Sequence, residues 1–182
     1  MTVVAAPDFA APLEAWRTWK IVPSARGPLL SSLFFDLVWP PQVAVHARCL
    51  RRSWFERFGL LRQTHAAPGR RCECGVYGAS LEQAAAYLWH PRVAPRRTSL
   101  HVLGRVLLWG DVVECERGYR AASAYPAELV VPVSAVGKGR VEEGEEVAEG
   151  LSRYGVPVRL VACRTREEII RAARRGAGPV AA

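Results

Sequence analysis

The sequence predicts an α+β fold: a β-rich small barrel or curved antiparallel sheet over residues 1–133, with a βαβα-like C-terminal appendage over residues 134–182. Three observations carry this expectation. The stretch "LHVLGRVLLWGDVVECERGYRAASAY" is apolar and β-branched, and it is punctuated by Gly110-Asp111 and Glu116-Arg117-Gly118, which reads as three strands of an antiparallel meander. Gly104 and Gly110 fall inside that pattern, where missing side chains mark the bulges or bends that a strongly curved sheet needs. Beyond residue 127 the pattern changes to strand, helix, strand, helix. At 182 residues, half of them apolar, the chain can bury a core of its own.

Each element has a local reason. "AWRTWKIV" alternates, with Trp16, Thr18 and Lys20 on one face and Arg17, Trp19 and Ile21 on the other, which predicts a strand. "LLSSLFFDLVWPPQVAVHARC" is a short strand broken by Pro40 and Pro41, followed by a second strand from Val43 to Cys49. Residues 50–71 mix aromatic residues with arginines and read as a connecting segment. "CGVYGA" is a short strand, and Ser80 with Gln83 forms a capping box that opens the helix "LEQAAAYLW", ended by His90-Pro91. Toward the C-terminus "ELVVPV" and "VPVRLVAC" are strands. Val147, Leu151 and Tyr154 form a helical stripe closed by Gly155, and Thr165 with Glu168 caps the helix "REEIIRAARRG".

Charge narrows the function classes. Lys plus Arg number 25 against 17 Asp plus Glu, a net +8, and every cation except Lys20 and Lys138 is an arginine, whose planar fork of donors suits phosphate. The same composition, rich in Ala, Gly, Pro and Arg and free of Asn, also fits GC-rich codon use. No run of eighteen apolar residues is present, and the N-terminus lacks the basic start and apolar middle of a signal peptide, so a cytoplasmic protein with no membrane partner is expected. Five cysteines in such a chain read as thiols or metal ligands rather than as a disulfide framework.

One group of residues points to a metal. Residues two apart on extended backbone share a side, so Cys72 and Cys74 can present both sulfurs to one ion, and Cys49 and His65 complete a Cys3His set suited to structural zinc. Without metal, the cysteines would be small core residues and His65 a loop histidine.

A second group points to nucleic acid. Trp109, Tyr119 and Tyr125 lie among Arg105, Arg117 and Arg120, so a base could stack on a ring while a guanidinium pairs its phosphate. Arg70, Arg71, Arg96 and Arg97 would add to the grip on RNA or DNA. The plainer alternative places the rings in the core and the arginines in solvent.

Two rival readings remain open. Glu114 and Glu116 share a face around Cys115, and with His101 they could serve a small hydrolase or transferase. The other makes the tail a docking element of a protein-interaction adaptor.

Two stretches carry a resemblance. "HAAPGRRCECGVYGA" and "VLGRVLLWGDVVECERGYRAASAYP" resemble an uncharacterised bacterial domain with C-x-C-G-[IV]-Y and G-x-V-x-L-W-G-x-V-V-E-x-E-x-G-[YW]-R-A motifs, the likeness extending loosely over residues 12–133. No activity is assigned to that domain, and Cys115 stands where it carries histidine. The short helix feeding a meander with an "AYP" exit is also similar in architecture to PUA-like barrels, which implies an RNA or modified-base ligand.

Overall fold

The computed structural model describes residues 11–49, 65–89, 101–133 and 138–176. Its spine is one long hairpin, β6 (His101–Cys115) and β7 (Gly118–Val133), turned at Glu116-Arg117. The meander thus has two strands rather than three. Gly110-Asp111 is not a turn but a bulge: Trp109 faces Ser123 and Val112 faces Ala121, so β6 advances three residues while β7 advances two. Gly110 takes φ +76° there, a value that glycine reaches without a Cβ penalty. Pairing resumes beyond the bulge because Val112 to Cys115 still has an extended partner in residues 118–121.

A second bulge sits between Arg105 and Val106, where the opposing residues are Glu128 and Pro126. Both bulges bend the hairpin. "ELVVPV" is not a separate strand but the far half of β7.

β1 (Leu13–Val22) lies antiparallel to β6, β2 (Leu29–Ser32) to β1, and β3 (Val38–Trp39) to β2. The other edge of β7 takes three short partners in turn. Tyr77 of β5 (Val76–Gly78) faces Arg120, Val45 of β4 (Val45–His46) faces Ala124, and β8 (Val158–Ala162) runs parallel to residues 129–133. The sheet is open, with path β3-β2-β1-β6-β7-β4, and a closed PUA-like barrel is not what forms. A single bridge joins Trp16 to Ala79 through two hydrogen bonds of 2.8 Å.

Among the described residues three α-helices complete the mixed α+β architecture: α1 (Leu81–Ala86), α2 (Lys138–Leu151) and α3 (Arg166–Gly176). The capping residues read from the sequence do this work. The Gln83 amide donates to Ser80 Oγ at 3.3 Å, the Glu168 amide to Thr165 Oγ1 at 3.2 Å, and the Thr165 amide back to Glu168 Oε2 at 3.4 Å. α2 links β7 to its parallel neighbour β8, the connection that parallel pairing requires. The α-helix expected over "LEQAAAYLW" ends at Ala86 and tightens into a 3-10 turn over Tyr87–Trp89, and His90-Pro91 lie outside the described residues.

Apolar side chains are buried in two clusters. Trp19, Leu30, Trp39, Val106, Leu108, Leu129 and Tyr154 belong to one, while Leu81, Ala85, Leu103, Val130, Ile169 and Ala173 join α1 and α3 to the sheet in the other. Glu128, only 2 % exposed, is held from both sides, by Arg105 Nε at 2.9 Å and Arg159 Nε at 2.7 Å. Arg159 Nη1 also donates to the Ala172 carbonyl at 3.1 Å, which fastens α3 to β8. Among the described residues no helix is long and apolar enough to cross a membrane.

Candidate metal centre

Cys49 lies just beyond β4, whose pairing with β7 is prolonged by the Ala47 amide donating to the Ala122 carbonyl at 2.7 Å. Cys72 and Cys74 belong to the loop that enters β5, and His65 lies at the start of the described part of that loop. The loop contains a cis Ala67–Pro68 bond and a turn in which the Cys72 amide donates to the Gly69 carbonyl at 3.2 Å. The ligand atoms of Cys49, His65, Cys72 and Cys74 all lie within 4.8 Å of one another, a cluster that could hold a metal ion.

Two separations test the fit. Zinc at normal bond lengths puts tetrahedral sulfurs about 3.8 Å apart and sulfur and nitrogen about 3.5 Å apart. Cys49 Sγ and Cys72 Sγ are 3.6 Å apart, and His65 Nε2 and Cys74 Sγ 3.2 Å. A disulfide needs about 2.05 Å, so the sulfurs sit at a spacing suited to sharing an ion rather than a bond.

Close packing demands glycine at position 75 and favours it at position 69. A Cβ on Gly69 would lie 2.5 Å from His65 Nε2, and one on Gly75 would lie 2.9 Å from the Arg120 Cβ at a backbone φ of +127°. The Gly69 amide also donates to Cys74 Sγ at 3.1 Å, the kind of bond that favours a thiolate. A hydrogen bond from the Cys74 backbone brings the Cys72 thiol down to about 7, with Cys49, Cys74 and His65 contributing and burial opposing. Cys74 is shifted the other way, chiefly by burial. Four protein ligands leave a tetrahedral ion no open position, which is the arrangement of a structural centre rather than a hydrolytic one.

Arg120, read from the sequence as a phosphate ligand, is 7 % exposed and turned into this loop. Its Nη1 donates to the carbonyls of Cys72, Cys74 (2.8 Å) and Gly69 (3.3 Å), and its Nε donates to Cys115 Sγ at 3.1 Å. Burial is the largest single influence and opposes its charge, but the contributions of Cys115, Tyr77 and Cys74 together offset it and hold its pKa above the ordinary arginine value. The sequence reading missed this role. No residue pattern marked it, because three of its partners are backbone carbonyls brought to it by the fold.

The other expected residues are distributed unevenly. Arg70 and Arg71 are exposed on the loop that carries Cys72 and Cys74, whereas Arg96 and Arg97 fall outside the described residues. Trp109 and Tyr125 come together, lining an open hollow of about 460 Å³ with Gln42, Ala44, Tyr154 and Gly155. The Tyr125 hydroxyl accepts from the Gln42 amide at 2.6 Å and donates to the Tyr154 carbonyl at 2.8 Å, so its ring is fixed. Tyr119 instead packs against the main core cluster.

Glu114 and Glu116 are exposed at the tip of the β6–β7 hairpin. His101 is buried at the opposite end of β6, up to about 40 Å away along a strand that two bulges bend. The three groups do not gather into a cleft.

No family model matches the chain, and no curated protein or solved structure is significantly similar to it. The likeness over residues 12–133 therefore rests on its two motifs.

Proposed function

We propose that the protein is a binding module for single-stranded nucleic acid or an unpaired, modified base, and that Cys49, His65, Cys72 and Cys74 hold a structural zinc ion that shapes it. The convergence of those four ligand atoms carries the reading. With zinc in place the loop that bears Arg70 and Arg71 becomes rigid, and those two exposed guanidinium groups meet phosphate from a fixed platform. The Trp109–Tyr125 hollow supplies ring faces for a base.

β4 connects the two features. Ala44 lines the hollow and Cys49 belongs to the metal cluster, so about 17 Å of extended chain at most separates them, within reach of one short oligonucleotide.

Fluorescence anisotropy with labelled single-stranded RNA and DNA at low salt tests the reading. Wild-type protein binds. Arg70→Ala with Arg71→Ala weakens binding evenly across sequences and flattens its salt dependence, and Trp109→Ala weakens it at every salt concentration, by about 1–3 kcal/mol. Wild-type protein that binds neither polymer at low salt would refute the nucleic-acid part of the proposal.

A further inference from the structure

We propose that Arg120 is a positioning residue for the metal centre: it preassembles the ligand loop before the ion arrives and thereby sets zinc affinity. The inference rests on the zinc reading above and adds to it a residue that touches none of the four ligand atoms.

The argument begins with the backbone. To bring Cys72 and Cys74 onto one ion, the loop folds so that the carbonyls of Gly69, Cys72 and Cys74 converge on a single point. Three carbonyl oxygens aimed together repel one another unless a cation sits among them. Arg120 Nη1 occupies that point. A buried carbonyl without a donor costs about 1–3 kcal/mol, so the guanidinium favours this loop conformation over others.

Arg120 is itself held on every side. Its strand pairs with Tyr77 of β5 and with Val113 of β6, and its Nε is aimed by the Cys115 sulfur. Gly75, with φ +127°, lets the loop settle against the Arg120 Cβ, where any side chain would collide. The anchor is thus the rigid spine of the molecule, and the loop is fitted to it. A lysine could neutralise the oxygens but could not reach the carbonyls and Cys115 together, because it lacks the planar fork.

Groups that orient metal ligands without touching the ion typically change affinity by about 10–100-fold. Competition for Zn2+ between the full chain and a chromophoric chelator measures this, with wild type, Arg120→Lys and Arg120→Met compared and folding checked by circular dichroism. Folded variants are expected to bind zinc about 10–100-fold more weakly, and to show a shifted thiolate-to-Co2+ charge-transfer band, which a merely stabilising role would not move. A measurement on the wild-type chain needs no variant: with arginine labelled by 15N, the Arg120 Nε–H is expected to stay protected from hydrogen exchange both with zinc and after chelation.

The proposal is overturned by unchanged zinc affinity in a folded Arg120 variant, or by an Arg120 Nε–H that exchanges freely once zinc is removed. A wild-type chain that takes up no zinc sinks the metal reading itself, an outcome separate from either.

Discussion

At the scale of single residues, burial decides which side chains titrate and in which direction. His101 begins β6 inside the protein, and burial lowers its pKa from 6.5. The folded state therefore takes up a proton less readily than the unfolded chain. Stability associated with this group is complete above pH 6.5 and falls as the pH drops below it, where the unfolded chain is protonated first. Urea unfolding between pH 7.5 and pH 5.5 checks this: His101→Leu should lose less stability on acidification than wild type, whereas identical acid profiles would refute the assignment. Cys163 follows the same logic with the opposite sign, since burial pushes its thiol up to about 11 and leaves it a packing residue.

At the scale of elements, strands and caps were legible, and the interruptions between them were not. Both N-caps were read from residue type and spacing, because each depends on contacts within one turn of helix, although only Thr165–Glu168 closes the full reciprocal box, the Gln83 Oε1 making no hydrogen bond among the described residues. Gly110-Asp111 was read as a turn and proved to be a bulge, since only the partner strand decides whether a glycine reverses the chain or bends it.

Glu128 was equally hidden. Inside "ELVVPV" it looks like a strand-end polar residue, and only the docking of β8 and α3 brings Arg159 to face Arg105 across it. Removing the carboxylate leaves two guanidinium groups without their shared partner. Glu128→Ala should destabilise the fold by about 3 kcal/mol, toward the lower end for a broken buried pair because Arg159 is partly exposed. Chemical denaturation with an unchanged m-value checks this, and a loss below 0.5 kcal/mol, on the order of a surface change, would refute it.

The grouping of Cys49, His65, Cys72 and Cys74, which could hold a metal ion, was legible from residue type and spacing. The C-x-C spacing brought Cys72 and Cys74 together on the page, and thiol and imidazole chemistry drew in Cys49 and His65. Arg120 escaped because its partners are backbone carbonyls, which no residue pattern marks.

At the scale of the whole molecule, the proposed ion fastens distant parts of the chain. Cys49 continues β4, while His65, Cys72 and Cys74 approach from the loop ahead of β5, and both strands lie on the same edge of β7. One ion would thus close the edge where β7 has its shortest partners and fix Arg70 and Arg71 beside it. Binding to the folded state alone also raises stability in proportion to the logarithm of free zinc over its dissociation constant.

Elemental analysis of the purified full chain, paired with thermal unfolding before and after chelation, tests this most directly. The account predicts about one zinc per chain, lost in Cys49→Ser and Cys72→Ser, and a melting temperature that falls on chelation and returns when zinc is restored. A chain that holds less than about a tenth of a zinc even after refolding with the metal, and whose melting temperature ignores the chelator, would contradict it.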